Sequence, residues 1–278
     1  MTSGGKKHLT ENCPRLRTSP NYQILALCNS SLDSTEAAIK AHELPASTRA
    51  YSSPEELVAD ADIDLVVIST RVDTHYGLAK TAVKAGKNTY VEWPLGSNAE
   101  QARELVALAR EKGVRTVVGL QGRREPSILK AKEIIESGRL GTVHSVNVQS
   151  AANIWQNGAV SAKYDYMLDR KVGGNLLTIY GGHGLDTIFF VHGELKKGYT
   201  TVLGNLRPRM HKLASDGKMS EETFAKDTPD QVSACGLLDG FLTNAGVRSC
   251  SKVVSTPRLR PSSPFTSEPV ISSLVDLD

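Results

Sequence analysis

The sequence lacks three features that would place it in a special class: a strong charge imbalance, a cysteine framework and a long apolar run. Its formal net charge is only +3 over 278 residues, which is too small to indicate nucleic acid or a membrane surface as a partner. The four cysteines, Cys13, Cys28, Cys235 and Cys250, have no metal-ligand spacing, so no metal site is predicted. No stretch reaches the ~18–20 apolar residues of a membrane span, and residues 1–10 are too polar for a secretory signal. We therefore expect an intracellular, cytoplasmic protein.

Short apolar runs alternate with helical stretches in the first part of the chain, and several runs have the composition of buried strands. These runs are residues 23–28, 64–69, 88–92 and 115–120. Strands separated by helices of about 10–15 residues predict βαβ units and a doubly wound parallel sheet. We therefore expect a Rossmann-like α/β domain over residues 1–122. Its run at 64–69 should form a central strand covered on both faces.

Helix boundaries are marked by short polar residues and by glycine. Ser53 should cap the helix that follows it, because its side chain can accept a hydrogen bond from a free backbone N–H. Gly113 should end the helix before it as a left-handed residue. A short helix over residues 35–42 should begin at Ser34 or Asp33.

Beyond residue 122 the pattern changes to a glycine-rich segment, an apolar helix around residues 185–191 and several alternating runs. The predicted strands are residues 144–150, 200–203 and 232–238. This pattern predicts an α+β domain over residues 123–248 with a mainly antiparallel sheet and helices on one face. Residues 249–278 are rich in Ser, Pro and basic residues, so we expect them to form a poorly ordered tail.

Three segments carry a family resemblance. They are Asp62–Thr70 with the following Thr74-His75, Tyr90–Pro94, and Gly138–Val143 with the later Gly181–Asp186. In this order and spacing, the chain resembles the Gfo/Idh/MocA family of NAD(P)-dependent sugar and polyol oxidoreductases over residues 20–248. The pair Glu92-Trp93 and the run Leu120–Arg123 are similar to the family's Gal80-like branch, whose members are regulators. Relative to the family, both ends of the chain are expected to be shortened.

The resemblance implies that the catalytic machinery has changed. The segment Glu92-Trp93-Pro94 stands where the family has Glu-Lys-Pro, and Trp93 has no cationic head to stabilise oxyanion charge. His183 matches the histidine of the family's Asp-x-x-x-His motif, but Ile179 replaces the aspartate. His183 is therefore the predicted catalytic proton relay. Two functions stay open: an NAD(P)-dependent oxidoreductase, or a catalytically silent Gal80-like regulator that binds dinucleotide or a protein partner.

The same resemblance implies NAD or NADP as cofactor. The candidate cofactor-binding residues are Asn29, Ser30, Ser69, Thr70, His75, Glu92 and Trp93. Ser3–Leu9 resembles the tail of the Gly-rich phosphate loop, but no apolar strand precedes it, which should expose two strand edges and weaken the cofactor site. The run Cys28–Ser31 has no ribose-binding acid to repel a 2′-phosphate, so NADP is as plausible as NAD.

The expected partners follow from the two functions. An oxidoreductase would bind a small-molecule substrate and, like many relatives, could form a homodimer. In the family, the loop with Lys163, Tyr164 and Tyr166 lines the substrate pocket. A regulator would bind another protein and could also be nuclear. Arg123 and Arg124 are expected to be surface or interdomain charges.

Overall fold

The computed structural model describes residues 19–151, 155, 158–196, 200–239, 248–254 and 272–274. The described residues form two compact units, which divide between Gly119 and Leu120. No helix among the described residues is long and apolar enough to cross a membrane. Within the same residues, His, Cys, Asp and Glu side chains do not gather in groups of three or more that could hold a metal ion.

Strands and helices alternate along the described part of the first unit. Its elements are β1 (Ala26–Cys28), α1 (Leu32–Ala41), β2 (Arg49–Tyr51), α2 (Pro54–Ala59), β3 (Leu65–Ile68), α3 (Val72–Lys84), β4 (Asn88–Glu92), α4 (Ala99–Lys112) and β5 (Thr116–Gly119). Every strand pairing in this unit is parallel. This confirms the predicted Rossmann-like α/β architecture, in which crossover helices connect parallel strands.

The parallel strands form two separate sheets, β1–β2 and β3–β4–β5. Among the described residues, no strand pairs with the second edge of β1 or of β3. The expectation that the strand at residues 64–69 is covered on both faces is wrong at one position. The side chain of Val67 is 40% exposed, so the described residues cover that face of β3 only in part.

Helix ends in the first unit follow local chemistry, with one correction. Ser53 caps α2 and Gly113 ends α4 with a φ of 66°, as predicted. The cap of α1 is Ser31, not Ser34 or Asp33. The Ser31 and Ser34 side chains each accept a hydrogen bond from the other residue's backbone N–H, a reciprocal capping box that starts the helix earlier.

The core of the first unit lies between the β3–β4–β5 sheet and the helices α3 and α4. Its buried residues are Ile68, Val91, Ala79 and Leu105. Two of these come from the sheet and two from the helices, so burial of apolar surface fixes the helices against the strands. The packing holds the carboxyl ends of β3 and β4 at one edge.

The second unit contains a larger set of elements. They are a 3-10 turn (Gln121–Arg124), α5 (Pro126–Glu136), β6 (Ser145–Ser150), β7 (Ala159–Ser161), 3-10 segments (Ala162–Leu168 and Arg170–Val172), a π-helix (Leu176–Gly181), α6 (Gly182–His192), β8 (Glu194–Leu195), β9 (Thr200–Gly204), β10 (Arg209–Leu213), β11 (Met219–Ala225), β12 (Gln231–Asp239), β13 (Arg248–Val254) and β14 (Ser272–Leu274). Two sheets organise them. The larger has the order β14–β6–β13–β12–β8, with β9 also on β12, and the smaller has the order β11–β10–β7.

The larger sheet is mainly antiparallel, as predicted, although β13 and β6 pair in parallel. β13 and β14 lie largely within residues 249–278, the stretch expected to form a poorly ordered tail, and that expectation stays a prediction. β13 pairs with β12 on one side and with β6 on the other. Residues 255–271 and 275–278 of that stretch lie outside the described residues.

Two apolar clusters form the core of the second unit. One contains Val143, Val146, Val148 and Leu238, with Ile188 and Phe189 of α6 packed against it. The other contains Trp155, Val160, Leu168, Leu176 and Met210. The two clusters therefore fix α6 and the π-helix, the elements that carry the predicted catalytic segment.

Candidate functional site

Four of the predicted cofactor-binding residues meet at the carboxyl edge of the β3–β4–β5 sheet. In the register, Ile68 lies opposite Val91, and the next residues along the two strands are Ser69 and Glu92. Thr70 and Trp93 follow them in the two loops. Ligands of open parallel sheets bind outside this edge, so the local geometry agrees with a cofactor-binding role.

Ser69 has an unusual environment at this edge. Its Oγ is buried and has no hydrogen-bond partner in the described part of the chain. A buried hydroxyl without a hydrogen-bond partner lowers the stability of the fold by about 1–3 kcal/mol. Folded proteins contain few such groups. A polar group that reached this hydroxyl would remove that cost.

The loop after β3 is held by its own hydrogen bonds. The Thr74 hydroxyl donates to the Arg71 carbonyl oxygen over 2.7 Å and lies 2.7 Å from the Thr70 hydroxyl. Arg71 makes a bidentate pair with Asp73 at 2.7 and 2.6 Å. The hydrogen bonds from Arg71 hold the pKa of Asp73 below its usual range. The loop therefore presents Thr70 from a rigid turn.

His75 connects the two loops at the sheet edge. Its side chain is 1% exposed, with Nδ1 2.7 Å from the Pro94 carbonyl oxygen and Nε2 3.0 Å from the Thr70 carbonyl oxygen. Both ring nitrogens are thus engaged within the first unit, and direct contact with a cofactor would require one of these contacts to break. In this geometry the histidine positions the Thr70 loop and the Trp93-Pro94 segment, which contains a cis peptide bond.

The Glu92 carboxylate lies close to Gly119 on the neighbouring strand. A Cβ atom on Gly119 would lie 2.7 Å from Glu92 Oε2 and 2.8 Å from the Tyr90 hydroxyl, both too close for a real contact. Burial, and secondarily the Glu92 carboxylate, raises the pKa of Tyr90. Gly119 therefore allows the carboxylate and the phenol to lie together on one face at the end of the sheet.

The remaining predicted cofactor residues, Asn29 and Ser30, follow β1. The backbone N–H of Asn29 donates to Thr35 Oγ1 over 3.0 Å, and its Nδ2 donates to the Ser34 carbonyl oxygen over 3.1 Å. These bonds orient the amide and leave Oδ1 as the acceptor for a ligand hydroxyl. Ser30 is exposed at the same strand end.

Two acidic residues near the end of β1 were missed by sequence reasoning. Burial, then the negative charges of Glu55 and Glu56, raises the pKa of the Cys28 thiol. Both glutamates lie in the first turn of α2, which follows β2 in the same sheet as β1. The sequence shows no acid at positions 28–31, but the fold supplies these two from a neighbouring element.

In the second unit, His183 lies in the first turn of α6, immediately after the π-helix. Asn175 starts that π-helix: its Oδ1 accepts hydrogen bonds from the backbone N–H groups of Leu177 and Thr178 at 3.0 and 3.1 Å. The His183 carbonyl oxygen accepts a hydrogen bond from Thr187 Oγ1 over 2.9 Å. Since π-helical turns are rare and frequent at functional sites, this segment is a candidate site on structural grounds as well.

An ion pair fixes the position of α6. Arg123 donates from Nε and Nη2 to both carboxylate oxygens of Asp186, over 2.5 to 3.1 Å, and its guanidinium lies 5.5 Å from the centre of the Phe190 ring. A Cβ on Gly122 would lie 2.7 Å from Thr187 Oγ1, so the 3-10 turn approaches the helix closely. Arg123 was expected to be a surface or interdomain charge, and its side chain is 43% exposed. It pairs within its own unit with Asp186, which lies three residues along the helix from the predicted catalytic histidine.

Aromatic side chains surround the same segment. Tyr164 and Tyr166 make an edge-to-face contact with ring centres 6.5 Å apart, and Lys163 Nζ lies 4.8 Å from the centre of the Tyr164 ring. Tyr180 is 45% exposed, and burial of its hydroxyl, then the nearby Tyr164, raises its pKa. Sequence reasoning missed Tyr180, although its position three residues before His183 indicates the same helical side. These rings offer flat apolar surfaces to a ligand.

Family models match both parts of the chain. The oxidoreductase family with an NAD-binding Rossmann fold, Gfo/Idh/MocA, matches residues 4–120. The C-terminal domain of Gal80p matches residues 126–267, about half of the chain. The two matches meet close to the division between the two structural units.

Full-length relatives have two kinds of function. The chain is 36% identical over 250 residues to the dehydrogenase aclE of Aspergillus oryzae, covering 88% of this chain and 66% of that protein. It is 30% identical to the galactose/lactose metabolism regulatory protein GAL80 of Kluyveromyces lactis, covering 86% of this chain and 53% of that protein. The crystal structure of the K. lactis Gal80p regulator has a TM-score of 0.82 at 26% identity, covering 99% of this chain and 66% of that structure. The chain thus spans half to two thirds of the length of these relatives.

Proposed function

We propose that this chain, which belongs to the Gfo/Idh/MocA oxidoreductase family and contains a Gal80-type C-terminal domain, is an NAD(P)-dependent oxidoreductase. Its substrate would be a sugar, a polyol or a small carbonyl compound. The observation that carries the proposal is His183, the family's histidine, in the first turn of a helix held in place by the Arg123–Asp186 pair. A dehydrogenase relative at 36% identity supports the same activity.

The residues at the strand ends would hold the dinucleotide. Ser69 Oγ and the Thr70 hydroxyl would bind it at the end of β3, and the Asn29 amide oxygen would accept a ribose hydroxyl. Glu92 and Trp93 would lie toward the nicotinamide. When bound, the cofactor supplies or accepts the hydride. Because Glu55 and Glu56 place negative charge near the end of β1, NAD is favoured over NADP.

His183 would accept and return the proton of the reaction. In the oxidative direction, its neutral imidazole accepts the proton of the substrate hydroxyl; in the reductive direction, the imidazolium returns a proton to the carbonyl oxygen. Trp93 cannot stabilise negative charge on that oxygen, and Ile179 cannot orient the imidazole by a hydrogen bond. We therefore expect slow turnover compared with a family member that has lysine and aspartate at these positions.

Titration with NADH and NADPH, followed by nicotinamide fluorescence, tests this proposal. We expect micromolar binding, with NADH roughly 3- to 10-fold tighter than NADPH because of the charge near β1.

Replacing Ser69 with alanine should weaken the binding of both nucleotides, by about 1 kcal/mol or more, if its buried hydroxyl bonds the cofactor. Ser52, an exposed serine of the same unit, provides the control Ser52→Ala, which should bind normally. Absence of binding up to millimolar nucleotide would contradict both the oxidoreductase and a dinucleotide-sensing regulator.

A second function is favoured by one specific observation. Trp93 and Ile179 replace both polar groups that normally work with the histidine, and loss of both is compatible with a protein that binds but does not react. In this alternative the chain is a Gal80-like regulator that binds dinucleotide or a protein partner. A homodimer is a further proposal for either function.

Replacing Trp93 with lysine separates the two functions. If the rest of the site is competent, the new cation should raise kcat by about 10- to 100-fold, because it stabilises charge on the reacting oxygen. The assay is nucleotide reduction with a panel of sugars and polyols. Trp93→Met is the matched control, since it removes the indole without adding charge. Binding without turnover in the wild type and in both variants would favour the regulator.

A further inference from the structure

Two cysteines lie directly opposite each other in the larger sheet of the second unit. The antiparallel ladder between β12 and β13 pairs Cys235 with Cys250, and residues on both sides of this position continue the register. Opposed residues of an antiparallel pair have Cα atoms about 4.5–5.5 Å apart. Disulfides span Cα separations of about 4.4–6.8 Å. The backbone register alone therefore places the two cysteines at a distance that a disulfide can bridge.

The β12 cysteine is accessible to small reagents. Cys235 is a free thiol and is exposed. Its strand alternates: Ala234 and Leu238 are buried against the core, whereas Leu237, on the same face as Cys235, is exposed. On the neighbouring strand β9, Val202 is 61% exposed on this face, opposite Ser233. The cysteine thus belongs to the open face of the sheet.

We propose that Cys235 and Cys250 are a redox modification site that forms a cross-strand disulfide with a low-molecular-weight disulfide such as oxidised glutathione. One cysteine thiolate attacks a glutathione sulfur, the glutathione S–S bond breaks, and the first glutathione leaves. The second cysteine then attacks the protein sulfur of the mixed disulfide and expels the second glutathione. The two cysteines lose two electrons, oxidised glutathione gains them, and the two thiol protons end on the released glutathione thiols.

The bond would act on the stability of the sheet. It would join β12 to β13 covalently and close a short loop between them, which restricts the unfolded chain more than the folded one. Because exposed disulfides are more easily reduced than buried structural ones, the link should be reversible with dithiothreitol. This inference does not depend on the proposed oxidoreductase function.

The test uses the full chain incubated with oxidised glutathione and analysed without reducing agent. Intact mass should show the loss of two hydrogens with no retained glutathione, and peptide mapping should give one linked pair, Cys235 with Cys250. The melting temperature should rise by about 5 °C and return on reduction. Cys235→Ser and Cys250→Ser should each abolish the link and instead retain a single glutathione. Cys28→Ser is the matched control, since it replaces a half-buried thiol elsewhere, and it should leave the link intact.

Three outcomes would overturn the proposal. One is a stable glutathione adduct on wild-type Cys235 with no internal link. Another is a disulfide-linked dimer on a non-reducing gel, which would show that the open face pairs the cysteines between copies. The third is a link that uses Cys28 or Cys13.

Discussion

Replacing His183 with alanine is expected to lower kcat about 10²- to 10⁴-fold, the usual contribution of a general acid–base group. The effect should be near the upper end because neither Trp93 nor Ile179 can take over the proton. The measurement is steady-state kinetics with the best substrate from the sugar and polyol panel, over a range of pH. The variant should also lose the limb of the pH–rate profile that reports the free base.

The control for this variant lies on the same helix. His192 ends α6, and its burial lowers its pKa, so it is a histidine with a distinct environment but the same secondary structure. His192→Ala should change stability but leave kcat within about 3-fold, since the ring is far along the helix from the reacting segment. Equal rates for wild type and His183→Ala would remove the catalytic role from that residue and leave the regulator as the better proposal.

A positioning effect should be distinguishable from this catalytic one. Arg123 does not carry the proton but holds Asp186 and, through it, the first turns of α6. Its removal would disturb the geometry of a group that still titrates, so the shape of the pH–rate profile should survive. The Arg123–Asp186 pair therefore belongs to the candidate site as a positioning interaction.

Local signals predicted most strands and helix ends of the first unit. The run at residues 65–68 is continuous, apolar and bounded by polar residues, so its position is encoded within a few residues. The cap of α1 was ambiguous because Ser31, Asp33 and Ser34 are all good cap residues. The reciprocal hydrogen bonds between Ser31 and Ser34 in the structure identify Ser31 as the cap.

Non-local contacts could not be predicted from one sequence. Arg123 and Asp186 are 63 positions apart, and neither has a local pattern that indicates the other. The same holds for the pairing of β13 with β12 and with β6. Glu55 and Glu56 come near the end of β1 only because β1 and β2 are neighbours in a sheet. The sequence therefore predicts which residue types form the candidate site, but it predicts only part of the charge around them.

The largest effect on stability is expected at a buried ion pair in the second unit. The Lys226 side chain is 0% exposed and Asp230 is 4% exposed, with Lys226 Nζ 3.3 Å from Asp230 Oδ2. Lys226 Nζ also donates to Asn205 Oδ1 and to the Thr228 carbonyl oxygen, each over 2.6 Å. Burial lowers the pKa of Lys226, and the negative charge of Asp230 opposes that shift. The carboxylate has a second role, since it accepts the backbone N–H groups of Leu206 and Arg207 at 2.8 and 3.1 Å.

Replacing Asp230 with alanine should therefore reduce the free energy of unfolding by about 3–5 kcal/mol, because it leaves a buried ammonium without its counter-charge. Urea denaturation measures the loss. Without Asp230 the pKa of Lys226 falls further, so the folded state binds fewer protons than the unfolded state. The deficit should then shrink as pH rises toward the ordinary value for lysine. Asp227→Ala is the matched control: this exposed aspartate of the same segment accepts one backbone N–H, from Arg170, and should cost only about 1 kcal/mol.

The double variant Lys226→Met, Asp230→Ala separates the charge from the rest of the network. If the uncompensated ammonium causes most of the loss, removing it should recover a large part of the stability, because buried ion pairs can be replaced by apolar residues at little net cost. The two backbone N–H groups would still lack their acceptor, so recovery should be incomplete. A loss in Asp230→Ala no greater than that in Asp227→Ala would mean that water reaches Lys226 and that the pair is not buried in solution.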